Sequence, residues 1–343
     1  MKKYFILYII ACQSLIAFGQ ENKTPYMTKS LANAGIKNVH VSTSGGSITV
    51  SGASGQEPRV EVYITGNNGF TPSNDEIKRR LDENYTLDIN ISNGEVRAVA
   101  KNKHDGNWDW HKSLNIAFKI YVPQNVATNL QTSGGSIHLD NLSGEEKFET
   151  SGGSLHIDHL TGKIHGRTSG GSIAVSNSKD NIDLETSGGS VHANNCSGTI
   201  KLETSGGSLH LEELNGKIDA STSGGSVSAS NIKGELHTGT SGGSINLTGL
   251  ACSLDTYTSG GSIHVQMNEV SKFVKIDASG GHVDLTLPSK QGLDLNLRAE
   301  KVTAELGSGF SGTKEKDKIE GKLNGGGPTV DVNGSNRVNL TLN

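Results

Sequence analysis

The phrase Thr132-Ser133-Gly134-Gly135-Ser136-Ile137 returns, with Ile, Leu or Val in its last place, at Thr150, Thr168, Thr186, Thr204, Thr222, Thr240 and Thr258. Each step is 18 residues (150 − 132, 168 − 150 and so on). An altered copy, Ala278-Ser279-Gly280-Gly281-His282-Val283, follows after a step of 20 (278 − 258), and an outlying copy stands upstream at Thr43-Ser44-Gly45-Gly46-Ser47-Ile48. Self-similarity at a fixed period is the signature of a stacked repeat, in which each unit buries itself against its neighbours.

Counting each repeat from its Thr as position zero gives the internal pattern. Apolar residues recur at plus five (Ile137, Leu155, Ile173), at plus seven (Leu139, Ile157, Val175) and at plus fourteen (Ile164, Ile182, Ile200). Polar residues lie between them, and this period-two alternation describes strands with one buried face. Gly-Gly at plus two and plus three, and a frequent Gly at plus twelve, mark the places where the chain turns. Eighteen residues at ~3.3 Å each make a winding of ~60 Å, enough for two or three short strands. By parity the zero-position Thr points inward, and the Ser columns at plus one and plus four point outward. No proline occurs between Pro123 and Pro288, as a ladder that uses nearly every amide requires.

The chain is therefore expected to be all-β. It forms a single-stranded parallel β-solenoid (β-helix) with 18-residue coils, capped at both ends because an open end would template further strands. The expected divisions are a signal peptide at 1–19, a first coil with a capping excursion at 20–130, the regular solenoid at 131–290 and closing strands at 291–343. In the excursion, strands are expected near 60–64, 86–91 and 114–122, with a short helix near 74–84.

Lys2 and Lys3, the apolar run from Tyr4 and the small residues at Ala17-Phe18-Gly19 make a secretory signal, with a mature chain from Gln20. Lipidation at Cys12 is the rival reading. No other segment has the ~20 apolar residues that span a bilayer, so an extracytoplasmic location is expected, whether periplasm, cell surface or secreted. Loss of Lys2 and Lys3 moves the net charge from −4 to −6, which argues against a nucleic-acid partner. The two cysteines that remain, Cys196 and Cys252, fall three coils apart, ~14 Å at ~4.8 Å per coil. A disulfide needs Cα atoms within ~7 Å, so two free thiols are expected.

The ladder of Thr-Ser-Gly-Gly-Ser-Ile units resembles the bacterial putative-adhesin domain family, extracytoplasmic β-solenoids of unknown function. The lead-in Ile120-Tyr121-Val122-Pro123 and the late segment Gly321-Lys322-Leu323-Asn324-Gly325-Gly326-Gly327-Pro328 share in the likeness, which runs from about residue 36 to the end. The resemblance implies a fold and brings no catalytic residues with it.

Three constellations could carry chemistry. The outward plus-six and plus-eight columns place His138, Asp140, His156 and Asp158 in a surface square ~5–7 Å on a side. Two imidazoles and two carboxylates could hold Zn²⁺ or a similar divalent cation; a solvated ladder is the plainer reading, and no other cofactor is implied. The opposite face, at plus fifteen, mixes signs (Lys147, His165, Asp183, Lys201, Asp219, His237) and lacks the one-sign stripe of an electrostatic docking site. The loop at 104–111 holds Trp108 and Trp110 beside Asp109 and His111, which could stack on and hydrogen-bond a sugar; a packed edge strand is the plainer reading.

Polysaccharide-cleaving β-helices need clustered carboxylates in a groove. Here the repeat spreads the acids, and long groove-forming insertions are absent from the regular coils. A surface ladder of Ser and His implies no catalytic triad. The expected function is non-enzymatic: an adhesin or cell-envelope interaction module presenting Ser, His and acidic ladders to a glycan or protein. A carbohydrate-active parallel β-helix enzyme is the alternative.

Overall fold

The structure, a computed structural model, describes residues 24–52, 55–67, 72–103 and 113–343. Across the repeats two strand types alternate. Four-residue strands such as Leu155–Asp158, Ile173–Ser176 and Val191–Asn194 carry the plus-five and plus-seven columns. Eight-residue strands such as Thr161–Thr168, Lys179–Thr186 and Ser197–Thr204 end on the repeated Thr. Each strand pairs in parallel with its equivalent in the next repeat. Leu155 lies beside Ile173 and Ile173 beside Val191, while Thr150, Thr168, Thr186 and Thr204 follow one another along the other ladder. The sheet is thus built of many mostly parallel strands, and hydrogen-bonded partners within it stand 18 residues apart (173 − 155).

The core is a set of columns running along the stack. The plus-five, plus-seven and plus-fourteen columns are buried throughout, and apolar except at Glu146. Two further columns, outside the three expected, complete the interior. One runs Leu142, Leu160, Ser178, Cys196, Leu214, Ile232; the other holds Phe148, Leu184, Leu202 and Ala220. Gly166 interrupts the second column because the Phe148 ring fills its place: a Cβ on Gly166 would lie 2.1 Å from that ring. Both cysteines are buried and free.

One corner of the winding demands a left-handed backbone. Asn141, His159, Asn177, Asn195, Glu213 and Asn231 all have φ between 50° and 57° there, a region that Asn tolerates better than most residues. The plus-twelve corner uses Gly162, Gly198, Gly216 and Gly234 at φ of 100–127°. Asp180 occupies that place in one repeat with φ 85°.

The ends differ. The upstream copy lies directly beneath the first regular repeat: Asn38–Thr43 pairs in parallel with Ala127–Thr132, placing Thr43 beside Thr132, and Ile48–Gly52 pairs in parallel with Ile137–Asp140. On its other side this coil meets Glu95–Asn102 and Leu114–Val122, again in parallel. Antiparallel strands follow at this end, Arg59–Gly66 against Leu114–Val122 and Met27–Ser30 against Arg59–Gly66. A helix at Asn74–Asn84 is capped by the Ser73 hydroxyl and buries Ile77 and Leu81. Beyond the repeats, Thr329–Gly334 and Arg337–Leu342 continue the parallel stack on Ile263–Ala278 and His282–Leu287. Leu293–Arg298 and Lys301–Ala304 extend that stack, again in parallel, and Lys318–Leu323 then lies antiparallel to both Leu293–Arg298 and Phe310–Lys314.

Candidate functional site

Each repeated phrase is a clasp between windings. The inward Thr186 hydroxyl donates to the Gly171 carbonyl of the preceding winding at 2.7 Å and accepts the Gly189 amide at 3.3 Å. The same pair of bonds recurs at Thr150, Thr168, Thr204, Thr222, Thr240 and Thr258. The plus-three glycine is the place of closest approach. A Cβ on Gly153, Gly171, Gly189 or Gly207 would lie 2.0–2.2 Å from the carbonyl oxygen one winding below. The plus-four serines do not simply face water. The Ser154 amide donates to the Ser136 hydroxyl, Ser172 to Ser154 and Ser190 to Ser172, so their oxygens knit successive windings together. The plus-one serines, among them Ser151, Ser169 and Ser187, are exposed as expected.

On the outer face of the four-residue strands the expected ladder forms. His138 and His156 stack with ring centroids 4.5 Å apart, and His192 and His210 stack at 4.6 Å. Ala174 separates the two pairs. Burial, and in each case the second imidazole, hold the His138 and His192 pKa values below the usual histidine range. The small side chains of Ala174 and Ser228 leave a depression of about 360 Å³ around His192, His210, Asn194 and Glu212.

The acidic members of the expected square behave differently from its histidines. Asp140 and Asp158 lie side by side in register. Burial and the neighbouring carboxylate raise the Asp140 pKa. Asp158 is held below the usual carboxylate range, because hydrogen bonds from Ser176, Asn177 and His159 outweigh its partial burial. The imidazole that joins the two carboxylates is that of His159, whose Nδ1 stands 2.8 Å from Asp158 Oδ2. Ligand atoms of Asp140, Asp158 and His159 all lie within 4.8 Å of one another. His138 and His156 stack on each other outside that group. His159 escapes a strand-based count because it sits on the left-handed corner, φ 53°, which swings its ring back toward Asp158.

The plus-fifteen face sets imidazole and ammonium groups against carboxylates along the stack. His165 meets Asp183 at 2.9 Å, while Asp255 lies 3.7 Å from both His237 and Lys275. Burial raises both thiol pKa values, that of Cys252 to about 12, so neither cysteine is a ready nucleophile. Trp108, Asp109, Trp110 and His111 lie outside the described residues, as does the leader segment including Cys12. No helix among the described residues is long and apolar enough to cross a membrane.

The Toastrack DUF4097 family model matches residues 196–337, the later windings and the start of the final strand. No curated protein is similar to the chain. A solved structure of a putative cell adhesion protein from Clostridium sporogenes ATCC 15579 aligns over 92% of this chain and 98% of that chain, at 10% identity and a TM-score of 0.21. So slight a likeness carries nothing over to this chain, whereas the family match supports a solenoid-like domain of unknown function over its later half.

Proposed function

We propose that the chain is a non-enzymatic extracytoplasmic scaffold, a capped solenoid of 18-residue coils that presents regular side-chain ladders to a glycan or protein of the cell envelope. One observation carries this reading: outward side chains of one column stack at the spacing of the backbone ladder, as in the histidine pairs at 4.5 and 4.6 Å. A face of that kind is a periodic array held by buried threonines, and periodic polymers are its natural complement. The antiparallel end strands serve as the caps, since Arg59–Gly66 and Tyr85–Ser92 at one end, and Lys318–Leu323 at the other, run against parallel strands of the stack. The carbohydrate-active alternative wants two carboxylates ~5–10 Å apart within a cleft. Asp140 and Asp158 instead lie on adjacent windings of a strand face, where the aspartate of the second is tied to His159, Ser176 and Asn177. The test is co-sedimentation of the purified mature chain with isolated envelope and envelope polysaccharide. Retention without release of reducing ends supports the scaffold; release of reducing ends by the wild type overturns it.

The Asp140–Asp158–His159 group supports a second, local role, the holding of a divalent cation on the same face. Two carboxylates and one imidazole form a donor set that suits Zn²⁺, and a cation there would offset the burial and the neighbouring carboxylate that together raise the Asp140 pKa. Calorimetric titration with Zn²⁺ should show binding that Asp140→Asn/His159→Ala abolishes. Equal binding by wild type and variant removes this role.

A further inference from the structure

The plus-seventeen column is polar along most of the stack: Glu149, Arg167, Glu185, Glu203, Ser221. It then changes character, with Gly239 followed by Tyr257, which lies beside it in register on the next winding. Tyr257 is 49% exposed and, with Met27, is one of two large apolar side chains left in water among the described residues. Its ring does not stand out from the sheet. A Cβ on Gly239 would lie 2.3 Å from Cε1 and 2.4 Å from Cζ of Tyr257, so the ring lies down in the notch that the missing side chain leaves. The ring packs over Gly239 on one side and leaves about half of the residue in water.

Polar groups surround this platform. A depression of about 320 Å³ is lined by Tyr257 and Gly239 together with Asp219, His237, Asp255 and Lys275. These side chains hold one another in place: His237 Nε2 is 2.9 Å from Glu235, its Nδ1 is 3.7 Å from Asp255, and Lys275 bridges Asp255 at 3.7 Å and Asp277 at 3.4 Å. Side chains fixed in this way project carboxylate oxygens and an ammonium around the rim of an aromatic floor. A volume of this order with a few convergent polar groups is that of a small-ligand site.

We propose that Tyr257 and the rim formed by Asp219, His237, Asp255 and Lys275 are a carbohydrate subsite that takes a pyranose ring of a neutral hexose polymer. The negative face of an aromatic ring attracts the weakly positive C–H edge of its partner, and the flat face of a pyranose presents a row of such C–H bonds. Carboxylates accept hydrogen bonds from the equatorial hydroxyls, and Lys275 donates to a ring or hydroxyl oxygen. Three aspartates (Asp219, Asp255, Asp277) against one lysine set the charge selection: uronates and sulfated sugars are repelled, and neutral hexoses are not. The inference deepens the scaffold reading, on which it rests, by naming where on the rod a glycan docks.

The experiment is a glycan array of neutral glucose, mannose and galactose oligosaccharides beside uronate oligosaccharides, followed by titration of the best ligand into wild type, Tyr257→Ala, Tyr257→Phe and Gly239→Ala. Wild type should bind a neutral oligosaccharide. Tyr257→Ala should weaken binding by about tenfold or more, the worth of one stacked ring, while Tyr257→Phe stays within about threefold. Gly239→Ala, which lifts the ring out of its notch, should weaken binding as Tyr257→Ala does. Unchanged thermal midpoints for the Tyr257 variants separate lost contact from lost fold. Neutral-glycan binding that survives Tyr257→Ala overturns this subsite and leaves the scaffold reading standing. Wild type that binds only uronates, or no oligosaccharide at all, overturns the proposal; whether the scaffold reading falls with it is decided separately by envelope co-sedimentation.

Discussion

Between Thr132 and Thr258 each repeated phrase meets its own copy above and below, whereas at the two ends of the molecule the neighbours change with each strand. Among the regular windings a single residue type answers the same demand many times over. A hydroxyl at position zero joins two windings, and a hydrogen in place of a side chain at plus three lets them touch. At the ends the chain abandons the period and adds antiparallel strands, Arg59–Gly66 against Leu114–Val122 and Lys318–Leu323 against Leu293–Arg298. The difference teaches what a substitution meets: at the plus-three glycine of the repeat it acts through contact between windings, and at an open left-handed position such as Gly325 it acts through local backbone conformation.

The two glycines of a single phrase give the sharpest test of that contrast. Gly189→Ala would press its Cβ against the Gly171 carbonyl at 2.2 Å, while Gly188→Ala would meet nothing nearer than 3.4 Å. The first should cost about 3 kcal/mol or more, the upper range of overpacking, and the second should stay within about 0.5 kcal/mol, both read from chemical denaturation. In the end region, Gly325 has open space around it but φ 87°. Gly325→Ala should therefore cost about 1–2 kcal/mol through backbone strain alone. Equal losses at Gly188 and Gly189 would show that the windings do not approach each other at the plus-three glycine.

Next in size is the effect of Glu146, the one charged side chain in the plus-fourteen column. It is fully buried; Oε2 accepts from Thr128 at 2.5 Å, while Oε1 has no hydrogen-bond partner. Burial pushes its pKa up to about 7 from the ordinary 4.5. The folded chain therefore holds a proton that the unfolded chain has already released between those two values. Stability is whole below pH ~4.5 and declines as pH rises toward ~7, by about 3 kcal/mol in all. Glu146→Gln should flatten that decline, and Glu146→Leu, which matches the column, should raise the thermal midpoint at pH 8 while changing little at pH 4.

Thr186→Val removes the hydroxyl that serves both the Gly171 carbonyl and the Gly189 amide. A loss of about 2 kcal/mol is expected, the usual worth of leaving such buried groups unpaired. The smallest effect belongs to the outward histidines. The His138 and His192 pKa values are lowered from 6.5 by burial and by the stacked second ring, so the unfolded chain takes up protons first as pH falls. Stability contributed by these stacks is present above pH ~6.5 and is lost below it. His156→Ser should remove some of that acid sensitivity in melts run from pH 7.5 to 5.

The repeat announced the parallel stack, the inward threonines and the buried plus-five, plus-seven and plus-fourteen columns, because period and alternation are one-dimensional signals of a one-dimensional architecture. The helix at Asn74–Asn84 was legible too, in its polar start and its spaced Ile77 and Leu81. What alternation hides is the corner. The column of Leu142, Leu160, Leu214 and Ile232 follows a left-handed residue, so parity counted from the phrase no longer applies there. His159 was missed for the same reason, although the run of Asn at that place in neighbouring repeats is a signal of left-handed backbone. Glu146 broke a hydrophobic column in plain view. Tyr257 was hidden because its character depends on Gly239, which is 18 residues away in sequence and adjacent in space.

Removal of whole windings tests the stacked architecture most directly. Deleting residues 186–203 joins Glu185 to Thr204 and takes out one full 18-residue step. The shortened chain should keep a β-sheet circular dichroism spectrum and a cooperative melt, and should lose ~4.8 Å of length in small-angle scattering. Deleting 186–194, half a step, joins Glu185 to Asn195 and sets the eight-residue strand Ser197–Thr204 where a four-residue strand belongs, and should yield a chain that does not melt cooperatively. Comparable folding of the two deletions, or loss of fold in the first, would contradict the account.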